Sequence, residues 1–132
     1  MEGTIVGSYR ITDKIAVGGM GTVYRAEHTL IGRIAAIKVL HAEMTVSRDI
    51  VQRFFNEAKA TSTIKHPGIV EVFDFGYMDS GHAFLVMEYL EGQTLSQRIR
   101  SRGRLPEGEA AMLLRGVCTA LAATSEAVYG TW

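Results

Sequence analysis

Between residues 15 and 38 the chain places a glycine cluster, then a β-branched run, then a lysine. Ile15-Ala16-Val17-Gly18-Gly19-Met20-Gly21-Thr22-Val23-Tyr24 is followed by Ala36-Ile37-Lys38. Glycines let a backbone approach a phosphate without a Cβ in the way, and their N–H groups can face its oxygens. The residues just after the glycines decide which phosphate loop this is. A Walker loop needs Lys-Ser/Thr straight after the last glycine, and here Thr22-Val23 stands there. A dinucleotide fold needs a helix to open at the same point. Thr22-Val23-Tyr24-Arg25-Ala26 instead alternates and is β-branched, so it reads as a strand. Strand, glycine turn, strand, and a lysine on a third strand make a hairpin that can lie over a nucleotide.

A lysine in a partly closed cleft needs an opposite charge to hold it in place. Residues 47–64 read as an amphipathic helix, with Ser47 as N-cap and Asp49 adding negative charge to the first turn. Ile50, Phe54, Glu57, Ala58, Thr61 and Ile64 recur at helical spacing, which puts Glu57 on the largely apolar face. A glutamate there calls for a cationic partner, and Lys38 is the candidate. The plainer alternative is a solvated Glu57 at the edge of the stripe, near Lys59 and Lys65.

Pro67-Gly68 breaks the chain after this helix. Val70 to Tyr77 then alternates as a strand, Asp79-Ser80-Gly81 is a turn, and Ala83-Phe84-Leu85-Val86-Met87 is a returning apolar strand. One face of this hairpin is expected to pack on the helix.

These residues together resemble the first part of a bacterial-type serine/threonine protein kinase, from residue 9 to about residue 128. The glycine-rich hairpin with its strand lysine is similar to the kinase nucleotide loop. Gly18 to Tyr24 and Glu88-Tyr89-Leu90-Glu91-Gly92-Gln93-Thr94-Leu95 are close to that subfamily. The resemblance implies an α+β fold: a kinase-like N-lobe with a five-stranded antiparallel sheet and one packed helix, then two helices of an incomplete helical lobe. It implies an N-terminal extension over 1–8, a nucleotide-binding lobe over 9–90, and the hinge exit with the start of the second lobe over 91–132.

It further implies ATP as cofactor. Gly18, Gly19, Met20 and Gly21 would meet the phosphates, with Ile15, Ala16, Val17 and Thr22 also among the nucleotide-binding residues, and Lys38 would meet the α/β-phosphate oxygens. Glu57 would orient Lys38, matching the strand-lysine to helix-glutamate pair of kinases. Ile15, Val23 and Ala36 would sandwich the adenine with help from Leu95, and Met87 would guard the back of its pocket. Backbone groups of Glu88 and Leu90 would hydrogen-bond the adenine edge, and Val72 and Thr61 would belong to an internal packing column. Two positions depart from the family pattern. Ala16 stands where the first loop glycine is usual, and Thr61 is polar where a larger apolar residue is common.

A larger departure lies near the C-terminus. Leu105-Pro106-Glu107 opens a helix, and Ala110, Leu113, Leu114, Val117, Cys118 and Leu121 form an apolar stripe running to about Ala127. In kinases such a helix leads to His-Arg-Asp. Here that register holds Tyr129-Gly130-Thr131-Trp132 or lies beyond it. Asp74-Phe75-Gly76 spells the kinase metal-binding turn but precedes the hinge and sits in an expected strand. Catalytic residues and metal ligands, including those for the Mg2+ of the complete family, are therefore expected to be absent from the chain. Phosphoryl transfer needs such groups to neutralise charge. The expectation is a nucleotide-binding portion inactive alone; the alternative is a non-catalytic kinase-like regulatory or dimerisation module.

Composition fits one domain with one core. A hydrophobic content of 47% is slightly high, as an uncovered helix stripe would make it. The 14 basic residues balance 14 acidic ones, which leaves no nucleic-acid footprint. Arg98, Arg100, Arg102 and Arg104 read as a solvated helix end with its following loop, with a substrate or phosphate contact as the alternative. Cys118, the single cysteine, cannot form an internal disulfide and is expected in the core. His28, His41, His66 and His82 lack metal-ligand spacing, with His66 read as structural. No apolar run approaches membrane-spanning length, so the expected location is cytoplasmic. The expected partners are adenine nucleotide and a protein substrate or partner kinase.

Overall fold

The computed structural model describes residues 1–129; Gly130 to Trp132, part of the register where a catalytic loop would begin, lie outside the described residues. The chain divides into two compact units. The first comprises residues 1–63 and 70–89, and the second comprises residues 64–69 and those from 90 onward.

The first unit is built on one antiparallel sheet. Its strands are β1 (Ile5–Val6), β2 (Tyr9–Val17), β3 (Gly21–His28), β4 (Ile34–Leu40), β5 (Val72–Tyr77) and β6 (Ala83–Glu88). Their spatial order is β1-β2-β3-β4-β6-β5. The sheet therefore has six strands where the sequence reading expected five. The additional strand is Ile5–Val6, which pairs with Arg10 and Tyr9 and lies inside the segment expected to be a bare extension. Val6 is 1% exposed, so its burial is what draws those residues into the sheet.

Side chains alternate across a strand, so each sheet face collects its own residues. One face gathers Ile11, Ala26, Ala35, Ile37, Val39, Phe84 and Val86 with Val6 and Tyr9 into the main core. Burying each larger member contributes about 1.5–3 kcal/mol. The other face brings Leu40 and Ala83, with partly buried Leu85, against Val51 and Phe54 of a helix.

That helix is α2 (Arg48–Ser62), preceded by a single turn, α1 (Ala42–Thr45). Ser47 caps α2 as the sequence suggested, its Oγ accepting from the Ile50 N–H at 3.4 Å. The buried stripe is Val51, Phe54 and Ala58. Phe55, half-buried beside it, meets Phe75 and Tyr77 of β5 with ring centroids 5.3 Å apart in both pairs. The Asp74-Phe75-Gly76 triplet lies inside β5, as its alternation implied. At the β5–β6 hairpin, Gly81 has φ +91°, a left-handed conformation that favours glycine.

The second unit carries α3 (Leu95–Arg102) and α4 (Glu107–Tyr129). Thr94 and Gln97 form a reciprocal capping box: the Thr94 N–H donates to Gln97 Oε1 at 2.8 Å, and the Gln97 N–H donates to Thr94 Oγ1 at 3.1 Å. Arg98 is not solvated as expected. Its Nε donates to Glu109 Oε1 at 2.8 Å, because α4 presents a carboxylate to that helix end. The His66–Ile69 turn touches α4 closely, and a methyl added at Gly68 would lie 3.0 Å from the Ala120 Cβ. His66 is structural here, its Nδ1 accepting the Gly68 N–H at 2.9 Å. Met112, Leu113, Leu114, Val117 and Leu121 leave an apolar face of α4 exposed. Cys118 is exposed as well, contrary to the expected core position, because it lies on the helix face that nothing in this unit covers.

Candidate functional site

The site grows from strand pairing. Ala16 pairs with Val23, Val23 with Lys38, Lys38 with Leu85, and Leu85 with Phe75. Directly paired residues share a sheet face, so this row runs from the glycine hairpin across β4 to β5. The neighbouring row sets Ala36 beside Met87, and Met87 beside Val72. Lys38 is thus held on the face opposite Ile37, among apolar neighbours, by the two-residue period of β4 alone.

A cleft of about 300 Å3 opens on this face. It is lined by Val23, Lys38, Glu57, Ala58, Thr61, Val70, Val72, Leu85 and Met87. Of the residues singled out in the sequence for nucleotide or packing roles, Val23, Lys38, Glu57, Thr61, Val72 and Met87 therefore come together. Ala36 is buried at 6% exposure beside Met87. Ala58, Val70 and Leu85 were not singled out. The alternation Ala83, Leu85, Met87 along β6 was the signal that could have found Leu85.

The Lys38–Glu57 ion pair does not form. The described ion pairs are Arg25–Asp13 and Arg98–Glu109. The reason lies in the phase of α2. Ala58, at 2% exposure, takes the inward position, and Glu57 is one residue, or about 100°, around the helix from it. Glu57 is exposed, so its carboxylate stays solvated at the cleft's edge. Among the described residues, no hydrogen bond or ion pair engages the Lys38 ammonium.

The glycine hairpin joins β2 to β3. The Gly18 N–H donates to the Gly21 carbonyl at 2.9 Å and closes the turn. Gly18, Gly19 and Gly21 all have φ outside the left-handed region, so helical handedness is not why glycine stands there. Crowding explains Gly21: an added Cβ would run into the Val39 carbonyl and lie 3.2 Å from the Leu40 Cα. At Gly19 nothing lies within 4 Å of such a Cβ, which leaves the tip open to a ligand. The N–H groups of Gly19 and Met20 hold no partner among the described residues.

The other flap residues occupy less sheltered positions, Thr22 excepted. Ile15 sits in a β-bulge between the Lys14–Tyr24 and Ala16–Val23 pairs and is 48% exposed, and Val17 is 63% exposed. A bulge re-aims side chains, and sequence patterning did not reveal it. Thr22 is buried and pairs with Val39 on the opposite face from Val23. Glu88 ends β6; its N–H donates to the Glu71 carbonyl at 2.8 Å, and its carboxylate accepts from the Glu71 N–H at 3.2 Å. Leu90 belongs to the second unit, with its side chain exposed.

The donor set fits a phosphorylated ligand with an apolar ring: a free ammonium, unpartnered turn N–H groups and an apolar cleft wall. Among the described residues no group of three metal-ligating side chains occurs. Among those residues, too, no helix is long and apolar enough to cross a membrane.

A family model described as the protein kinase domain matches residues 9–126. Among curated proteins, the chain is 42% identical over 125 residues to the serine/threonine-protein kinase Pkn1 of Myxococcus xanthus, covering 93% of this chain and 17% of that protein. It is 41% identical over 118 residues to the serine/threonine-protein kinase pkn2 of the same organism, covering 89% of this chain and 14% of that protein. It is 37% identical over 118 residues to the serine/threonine-protein kinase PrkC of Bacillus subtilis, covering 89% and 18% respectively. The chain thus spans less than a fifth of the length of these relatives. Among solved structures, the kinase domain of PknI from Mycobacterium tuberculosis aligns with a TM-score of 0.83 at 28% identity, covering 96% of this chain and 51% of that one.

Proposed function

Since the chain belongs to the protein kinase family, we propose that its first unit holds an adenine nucleotide, ATP, between the glycine hairpin and the Lys38 face of the sheet. The carrying observation is the pairing row Val23–Lys38–Leu85 beside Ala36–Met87. It sets one cation among apolar side chains in a cleft of about 300 Å3. In this reading Lys38 meets phosphate oxygens, and the Gly19 and Met20 N–H groups supply further donors. Val23, Ala36 and Met87 offer the apolar surface for the base. Glu57 stands at the edge of the same cleft. The backbone carbonyl of Glu88 supplies an edge contact.

ATP supplies a transferable phosphoryl group when bound. The residues of this chain bind and orient it. They include no His-Arg-Asp and no metal-ligand cluster among those described, so the chain alone is proposed to bind without transferring.

A thermal-shift titration with ATP, run on the wild type and on Lys38→Met, tests the proposal. Stabilisation follows RT ln(1 + [L]/Kd), about 2.7 kcal/mol at a hundredfold excess over Kd, and it shrinks in the variant. No shift in either protein overturns the binding function.

The exposed apolar face of α4 favours a second reading, a non-catalytic module that pairs with another kinase chain. Light scattering tests this second reading: a soluble defined oligomer or complex supports pairing, whereas an aggregation-prone monomer counts against it.

A further inference from the structure

His41, which has no role in the nucleotide site described above, contacts the glycine turn through both its main chain and its ring. His41 directly follows β4, and its main-chain N–H donates to the Met20 carbonyl at 2.9 Å. Its ring Nε2 lies 2.9 Å from the Gly18 carbonyl. A carbonyl only accepts, so Nε2 carries the proton in this contact. The His41 carbonyl is occupied in turn. It accepts the Met44 and Thr45 N–H groups, each at 3.0 Å, and the Thr45 hydroxyl at 3.1 Å. The backbone of His41 is thereby anchored by the turn of α1, and its imidazole reaches the glycine hairpin from a fixed base.

Peptide geometry gives these contacts a consequence. Each peptide unit is planar and trans, so a C=O and the N–H of the next residue point in opposite directions. Holding the Gly18 carbonyl against His41 turns the Gly19 N–H away from His41. Holding the Met20 carbonyl does the same for the Gly21 N–H. Without the imidazole, the Gly18–Gly19 peptide could flip at little steric cost, since a glycine on either side leaves both orientations open.

We propose that His41 is a positioning residue: its Nε2–H···O=C bond to Gly18 fixes the peptide that aims the Gly19 N–H at the nucleotide phosphates. This rests on the reading of the cleft as a nucleotide site. Lys38 and His41 lie close together along the chain, so β4 would set both the cation and the aim of the amide donors.

The test uses the whole chain with ATP as probe and compares His41→Gln with His41→Asn. The Gln amide places a donor nitrogen where Nε2 stands, whereas the shorter Asn amide does not. His41→Asn and His41→Ala are expected to weaken ATP binding about three- to tenfold, the equivalent of one net hydrogen bond, and His41→Gln to restore most of it. Equal affinity for the Gln and Asn variants overturns the proposal. Amide exchange of Gly18 in the ligand-free protein is the second readout, and His41→Ala and His41→Asn are expected to speed it relative to wild type and His41→Gln. If no variant, wild type included, binds ATP but the exchange pattern holds, the nucleotide reading fails while the pin stands. Unchanged Gly18 exchange in His41→Ala overturns the pin whatever ATP does.

Discussion

Gly21→Ala tests the base of the glycine hairpin with a single methyl group. Gly21 is buried and pairs with Leu40 at the edge where β3 meets β4. Its backbone lies outside the left-handed region, so alanine can adopt the native φ and ψ. On that ground alone the substitution would stabilise by about 0.4–1 kcal/mol, by narrowing the unfolded chain. Sterics oppose this. The new Cβ would collide with the Val39 carbonyl oxygen, lie 3.0 Å from its carbon and stand 3.2 Å from the Leu40 Cα. All three atoms are backbone of β4, a strand held by ladders on both sides, so none can rotate away as a side chain would. Relief requires parting β3 from β4 beside Leu40, which is 1% exposed. Overpacking of this kind costs about 1–3 kcal/mol, and a lost ladder hydrogen bond costs about 1 kcal/mol more. Less the entropic gain, the net loss is about 1–3 kcal/mol, or roughly 3–15 °C in Tm for a chain of this size. Gly19→Ala is the control, since its Cβ meets nothing within 4 Å. Thermal unfolding followed by circular dichroism reads both. If the two variants melt within about 1 °C of each other, the crowding argument is wrong.

Other substitutions probe separate parts of the fold. Ile37→Ala, at a side chain with 0% exposure in the main core, is expected to cost about 2–5 kcal/mol in urea unfolding. Ser47→Ala removes the cap on the Ile50 N–H and is expected to cost about 1 kcal/mol, with Ser47→Asp close to neutral in the same assay. The exposed Cys118 thiol is expected to react fully with a chromogenic disulfide reagent in the native protein; reaction only after denaturation would contradict its placement.

Local chemistry made much of this unit legible. Ser47 followed by a periodic helix, the Asp79-Ser80-Gly81 turn, and the alternation of 83–87 each lead directly to an observed element. The row that builds the cleft could be read because β-branched alternation fixes which side Lys38 faces. The features that stayed hidden depend on tertiary approach. The strand at Ile5–Val6 is two residues long and depends on both the burial of Val6 and the edge that Tyr9 and Arg10 offer it. The bulge at Ile15 is a register slip between two strands that no composition signals. Glu57 shows the limit of periodicity most clearly. Glu57 and Ala58 both fit a helical stripe within the width of one apolar face, and only the packing of Phe54 and Val51 on Ala83 and Leu40 selected Ala58 as the inward residue. His41 was legible only as a histidine without metal-ligand spacing. Its two contacts with the glycine turn depend on where β4 ends.

Adjacent residues on β4 have been given to different tasks, and this yields a sharper test than either residue alone. Ile37 belongs to the core face and Lys38 to the cleft face, and the strand's two-residue period keeps them apart. Loss of Ile37 leaves a cavity on the far side of the sheet and no change in the groups lining the cleft. Loss of the Lys38 ammonium removes a half-buried cation that has no partner among the described residues, so the fold gives up no ion pair with it. Ile37→Ala should therefore lower stability while, below its melting temperature, keeping the ATP-induced shift. Lys38→Met should keep or slightly raise stability while losing most of that shift. If Lys38→Met destabilised the free protein as much as Ile37→Ala does, the lysine would be serving the fold. The two sheet faces would then not be the separate core and binding surfaces that their pairing registers describe.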